Sequence, residues 1–130
     1  MNFSYTFEKL KVYNEAKELV VEIYKILNLY PDEERYALCN QMRRSAISIT
    51  SNIAEGTSRS SLKDKIHFIE IAFGSLMELL SQIQIPSELK YIENGVYQIL
   101  RTKIYNVSKL LSGLRSSYSK TLNSDNNPTL

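Results

Sequence analysis

The chain has 130 residues and 15.0 kDa, of which 43% are apolar and 23% charged, with a formal net charge of +2. That is one small domain, long enough to bury a core and too short for two, and its 4 glycines and 3 prolines exclude a collagen-like or linker composition. The single cysteine, Cys39, cannot form an internal disulfide, and no run of Cys and His has zinc-ligand spacing.

In chain order, the prolines and glycines mark off four long helical runs. The first is expected from about Thr6 to Leu29, with the apolar row Leu10, Tyr13, Val20, Tyr24 and Leu27 and a lapse at Lys17. After Pro31, Asp32 supplies a capping side chain and Glu33 and Glu34 supply first-turn carboxylates, which suit a second helix start. This second run carries Leu38, Met42, Ala46, Ile49 and Ile53. It is expected to close at Gly56, since glycine enters the left-handed cap conformation without a Cβ penalty. Ser61 with Asp64 resembles a capping box that opens the third run, where Leu62, Ile66, Ile69, Phe73, Leu76, Leu80 and Ile83 alternate by four and three.

Pro86 and Ser87 are expected to break the third run from the fourth. The fourth offers Ile92, Val96, Leu100, Ile104, Val107, Leu111, Leu114 and Tyr118, and Gly95 early in it marks a kink or a late start. The Asn-rich tail after Lys120 is expected to fray. Four amphipathic runs with short connections predict an all-α fold, an antiparallel up-down-up-down four-helix bundle. Its single domain covers residues 1–120, with a flexible polar tail over 121–130.

A second row on helix 2, namely Gln41, Ser45, Ser48, Asn52 and Glu55, is small or polar throughout. Ile71, Ser75, Glu78 and Gln82 form a matching row on helix 3, with Gly74 beside Ser75. Solvated helix faces favour Lys and Glu, whereas serines and glycine are poor choices there. Ser48, Asn52, Glu55, Gly74, Ser75 and Glu78 are therefore expected at a close helix-to-helix contact, inside the bundle or between subunits. Nine tyrosines and four phenylalanines exceed what such a core needs, and Phe3, Tyr5 and Phe7 are placed to fold back on the bundle or dock on a neighbouring chain. A homo-oligomer is the expected state.

The segment Gln41-Met-Arg-Arg-Ser-Ala-Ile-Ser-Ile-Thr-Ser-Asn-Ile-Ala-Glu-Gly56 resembles the signature of a bacterial four-helix-bundle family. Its first described members are encoded by intervening sequences in 23S ribosomal RNA genes. Phe7-Glu-Lys-Leu10, Ala16, Tyr24, Pro31, Glu34 and Arg35 resemble the family's first helix and connection, and Ile71-Ala-Phe-Gly-Ser-Leu-Met-Glu78 its third-helix motif. Two positions depart from it: Thr50 stands where the family often has proline, and Phe73 where a basic residue is common. The resemblance implies a ring, typically a homopentamer, with no established reaction. A related bundle, the accessory variability protein of diversity-generating retroelements, is a basic pentamer that binds nucleic acid and a reverse transcriptase. The partners implied by this fold analogy are a second copy of the chain, RNA or DNA, and a reverse transcriptase or ribosomal component.

Two function classes follow. One is a non-catalytic oligomer that binds nucleic acid, most simply structured RNA, through basic side chains. Arg101, Lys103, Lys109, Arg115 and Lys120 lie between Val96 and Lys120 with no acidic residue among them. Arg43, Arg44, Arg59, Lys63 and Lys65 form a second basic group near the helix 2–helix 3 connection, diluted by Glu55 and Asp64. Repeated around a ring, a modest charge per subunit becomes a strong local field. The alternative is a protein–protein scaffold without nucleic acid, which the low net charge and the tyrosines favour.

An enzyme is not expected. His67 is the only histidine, so the two Glu-x-x-His motifs of a di-iron bundle cannot be assembled, and no phosphate loop or nucleophile elbow occurs. No cofactor is implied. His67 reads as a surface or interface histidine and Cys39 as a small buried filler. The N-terminus lacks the order of a signal peptide and no apolar run approaches the roughly 20 residues of a membrane span, so a soluble, cytoplasmic protein is expected.

Overall fold

A computed structural model describes residues 3–30 and 35–126. Pro31 and the expected cap at Asp32–Glu34 lie outside the described residues. Four α-helices, α1 (Lys11–Leu27), α2 (Asn40–Thr57), α3 (Leu62–Glu88) and α4 (Asn94–Asn126), follow a short 3-10 turn at Thr6–Lys9. A π-helical turn, Arg35–Cys39, leads directly into α2. The main contacts are α1 with α2, α2 with α3, α3 with α4 and α4 with α1, which closes the expected bundle.

The first expected run is split. Leu10 is extended (φ −80°, ψ 131°), so α1 starts at Lys11 and takes its phase from there. Asn14 Nδ2 donates to the carbonyls of Glu8 (2.9 Å) and Leu10 (3.0 Å), tying the 3-10 turn to the helix. The buried row is consequently Val12, Ala16, Leu19, Ile23 and Ile26, flanked by Val20 and Leu27. Ala16 takes the place expected of Lys17, while Tyr13 is half-buried and Tyr24 exposed. Phe7 folds back on Tyr13, edge to face at 4.7 Å, but Phe3 and Tyr5 remain exposed.

In α2 the expected core residues Met42, Ala46, Ile49 and Ile53 are fully buried. In α4 the same is true of Leu100, Ile104, Val107 and Leu111. Helix α4 starts at Asn94, after the end of α3 and the left-handed turn at Lys90, and Gly95 lies in its first turn. It runs on to Asn126, past the point where fraying was expected, and its 33 residues are about 50 Å long. Tyr30 closes the core beside Tyr91 (5.8 Å) and places its hydroxyl 3.9 Å from Met42 Sδ. Burial, reinforced by the Cys39 thiol, pushes its phenol well above the ordinary tyrosine range.

Pro86 does not end α3. Its fixed φ suits the helix, and the helix continues two residues further to Glu88. The stop comes at Lys90, whose φ of 60° is left-handed. Tyr91 N donates to Pro86 O (2.9 Å) and Lys90 N to Ser87 O (3.2 Å), the bond pair of a Schellman cap. Glycine is the residue that tolerates this position, so Lys90→Gly is expected to raise stability by about 1 kcal/mol, read as a higher urea midpoint at unchanged slope.

Candidate nucleic-acid interface and the α2–α3 seam

The small polar rows of α2 and α3 meet inside the bundle. Ser45 Oγ donates to Glu78 Oε2 (3.2 Å), and the Ser48 and Ser75 hydroxyls share a 2.7 Å hydrogen bond. Asn52 Nδ2 donates to Ser48 O (2.8 Å) and to Ser48 Oγ (3.0 Å). Ser45 and Ser75 are buried, so these bonds replace water that the helices exclude. Each bond adds on the order of 1 kcal/mol net, but an orphaned hydroxyl here would cost more than that. Position 45 faces 78, 48 faces 75 and 56 faces 68, stepping in opposite directions as antiparallel helices require. At the far end of the seam Gln82 Oε1 is a buried acceptor without a partner among the described residues.

Two of the six residues expected at a contact inside the bundle or between subunits, Glu55 and Gly74, do not join the seam within the chain. Glu55 forms an ion pair with Arg59 one turn on. Gly74 is exposed, and a Cβ added to it would meet nothing within 4 Å, so it brings no backbone close within the chain. Gly56 fills that role instead. It lies inside α2 without a positive φ, and a Cβ there would come within 2.8 Å of Phe68 Cβ and 3.3 Å of Lys65 O. Its expected part as a left-handed helix cap is therefore replaced by a close crossing with α3. The connection ends on Ser61, whose Oγ accepts from Asp64 N (3.1 Å). Lys65 Nζ reaches back to cap Thr57 O (3.0 Å).

The two basic groups sort differently from their order in the chain. Arg43 and Arg44 stand near the start of α2, while Arg59 and Lys63 follow its end, a separation of about 20 Å along the helix. Arg43 leans on Asn40 Oδ1 (3.4 Å) and the Tyr24 ring (5.8 Å). Arg59, besides pairing with Glu55, stacks over Phe68 at 4.8 Å. Arg115 is held by Glu70 of α3, with Nε–Oε1 and Nη2–Oε1 distances of 2.8 Å. Lys103 lines the α1–α4 groove with Glu18 and Glu22 and with two further cations, Lys17 and Lys25. Arg44 and Lys63 are exposed.

Arg101 and Lys109 instead accompany aromatic rings on α4. Arg101 Nη1 donates to Tyr97 Oη (3.1 Å), and Tyr97 Oη donates to Gln84 Oε1 of α3 (2.7 Å). Lys109 Nζ lies 5.4 Å from the centre of the Tyr105 ring, which is 59% exposed. Tyr105 was not separable by sequence from eight other tyrosines. Its signal was its place between two cations at intervals of one helical turn.

An open cleft between the 3-10 turn and the end of α2, about 570 Å³ in volume, carries Tyr5, Phe7, Ser51 and Glu55 among its walls. Its one carboxylate is the partner of Arg59. Among the described residues no three His, Cys, Asp or Glu side chains gather to hold a metal ion.

A solved structure resembles this fold over 81% of the present chain and 95% of its own, with a TM-score of 0.75 and 24% sequence identity. It is a protein of unknown function from the S23 ribosomal protein family of Bacteroides thetaiotaomicron. No curated protein matches the chain. The family model described as 23S rRNA-intervening sequence protein matches residues 8–113, which include the α2 signature, the whole seam and most of α4. The chain belongs to the 23S rRNA-intervening sequence protein family.

Proposed function

We propose that the protein is a non-catalytic, cytoplasmic homo-oligomer, a pentameric ring, that binds structured RNA through α4. The observation that carries the RNA reading is the charge of that helix. Over its 33 residues it bears Arg101, Lys103, Lys109, Arg115 and Lys120 against a single carboxylate, Asp125. A ring multiplies this field around its circumference, which is how phosphate binding begins. Support for self-association comes from α3, the one described helix long and apolar enough to cross a membrane, with mean hydropathy 1.3 over its most apolar stretch. Only 33% of that stretch is buried in the bundle. Ile71 (38% exposed), Gly74 and Ile85 (54%) form an outer face shared with the single carboxylate of Glu78. A second copy covering this face would account for it.

The test is titration of a labelled structured RNA, with duplex DNA beside it, across a salt series. Binding at low salt that weakens log-linearly with salt is the expected result. Absence of binding even at low salt removes RNA and leaves a protein scaffold, which the α3 face favours on its own.

A further inference from the structure

We propose that the outer face of α4 is a stacking platform for unpaired nucleotides, with Tyr105 as the stacking ring and Arg101 and Lys109 as its phosphate contacts. The proposal rests on the RNA-binding reading above and names which part of an RNA is held, a single-stranded loop, bulge or end.

Three observations carry it. First, Arg101, Tyr105 and Lys109 follow one another at intervals of four, so they form one row along the exposed side of α4. Ser112, Ser116 and Lys120 extend that row, all exposed, with no carboxylate between Asn94 and Ser124. Second, three other basic side chains are engaged, Arg59 by Glu55, Arg115 by Glu70 and Lys65 by Thr57 O, while the exposed Arg44 and Lys63 lie on other elements, away from this row. Arg101 spends one nitrogen on Tyr97, which is itself anchored to Gln84, and so holds the rest of its donor fork in place at little entropic cost. Third, the Tyr105 ring is 59% exposed and has Lys109 Nζ 5.4 Å from its centre.

The chemistry selects the ligand. A flat ring beside two cations offers a π-face for a base and charge for the phosphates on either side of it. Bases in a duplex are already stacked on both faces and cannot use such a ring, whereas unpaired bases can. A polyanion also fits a surface that carries cations and no carboxylate, and an acidic peptide lacks the flat bases that would use Tyr105.

The experiment uses the full chain with a labelled oligouridylate and an RNA duplex of equal length at low salt, followed by fluorescence anisotropy. A second strand carries 2-aminopurine, whose emission reports stacking. The expected result is preference for the single strand, quenching of 2-aminopurine, and about tenfold weaker binding in Tyr105→Ala, with Tyr105→Phe close to wild type. Arg101→Ala and Lys109→Ala lower the salt dependence, and Lys25→Ala on α1 changes nothing. Thermal melts should be alike, because Tyr105 is exposed. Equal affinity for the duplex, or binding indifferent to Tyr105→Ala at an unchanged melt, overturns the platform while leaving RNA binding standing. No binding of either probe, nor of the structured RNA, removes both readings.

Discussion

Gly56→Ala is expected to destabilise the bundle by about 1–3 kcal/mol, although the same change in an unobstructed helix interior stabilises by about 1 kcal/mol. The sign is decided by what the new methyl meets. At 2.8 Å from Phe68 Cβ and 3.3 Å from Lys65 O, it presses on two points of α3 that are not free ends of flexible side chains. The Phe68 Cβ is fixed to its backbone, and its ring is in contact with the Arg59 guanidinium. Relief therefore requires α2 and α3 to separate near their connection, which stretches the Lys65–Thr57 cap. Urea denaturation of Gly56→Ala checks this; a midpoint equal to or above wild type would show that the helices separate freely.

The opposite outcome is expected at Gly74. Leucine there meets open space within the chain and improves helix propensity, so the melting temperature of the folded unit should hold or rise. Yet the residue sits on the outer face of α3 with Ile71 and Glu78, where a second copy is proposed to pack. A side chain of that size at a close subunit contact prevents approach. Light scattering on Gly74→Leu should therefore fall from a multiple of 15.0 kDa to the mass of one chain while circular dichroism stays helical. A wild-type protein that is already monomeric, or a variant that keeps its multiple, would remove this face as the contact. The two glycines separate fold from assembly: one substitution acts within a chain and the other between chains.

Much of the bundle was legible because burial on a helix repeats. The rows Met42–Ile53 and Leu100–Leu111 are buried as their spacing predicts. The apolar spacing sets the phase of α1 from Leu10, but that residue is extended and the helix takes its phase from Lys11, which is why the expected row meets a charge at Lys17. Pro86 signals a break because proline removes a backbone donor, but one lost bond near a helix end is tolerated when the ring is buried. Gly56 was a suitable cap and a suitable crossing point alike, and sequence does not distinguish a need for positive φ from a need for empty space.

The candidate site was less legible for a different reason. The state of Arg115 is set by a partner remote in sequence, since Glu70 lies 45 residues away. Near the α2–α3 connection the dilution by Glu55 was legible one turn from Arg59, whereas the use of Lys65 to cap Thr57 O was not. The lack of carboxylates along α4 is plain in the sequence, but which of its cations is taken by Glu70 and which stands beside an exposed ring is set by the packing.

The hydroxyl seam has a consequence for how the chain finds its fold. Apolar rows that repeat every helical turn fit one another almost equally well after a slip of one turn, so hydrophobic burial alone leaves several alignments close in energy. Hydroxyl and carboxylate partners do not slip in this way: moving α3 one turn along α2 would bury Ser45 and Ser75 without their bonds. Only the short stretch from Ser58 to Ser61 joins the two helices, so this pair is also the least costly to bring together. The α2–α3 hairpin thus carries the contacts that single out one alignment, and α1 and α4 have a single template to close on.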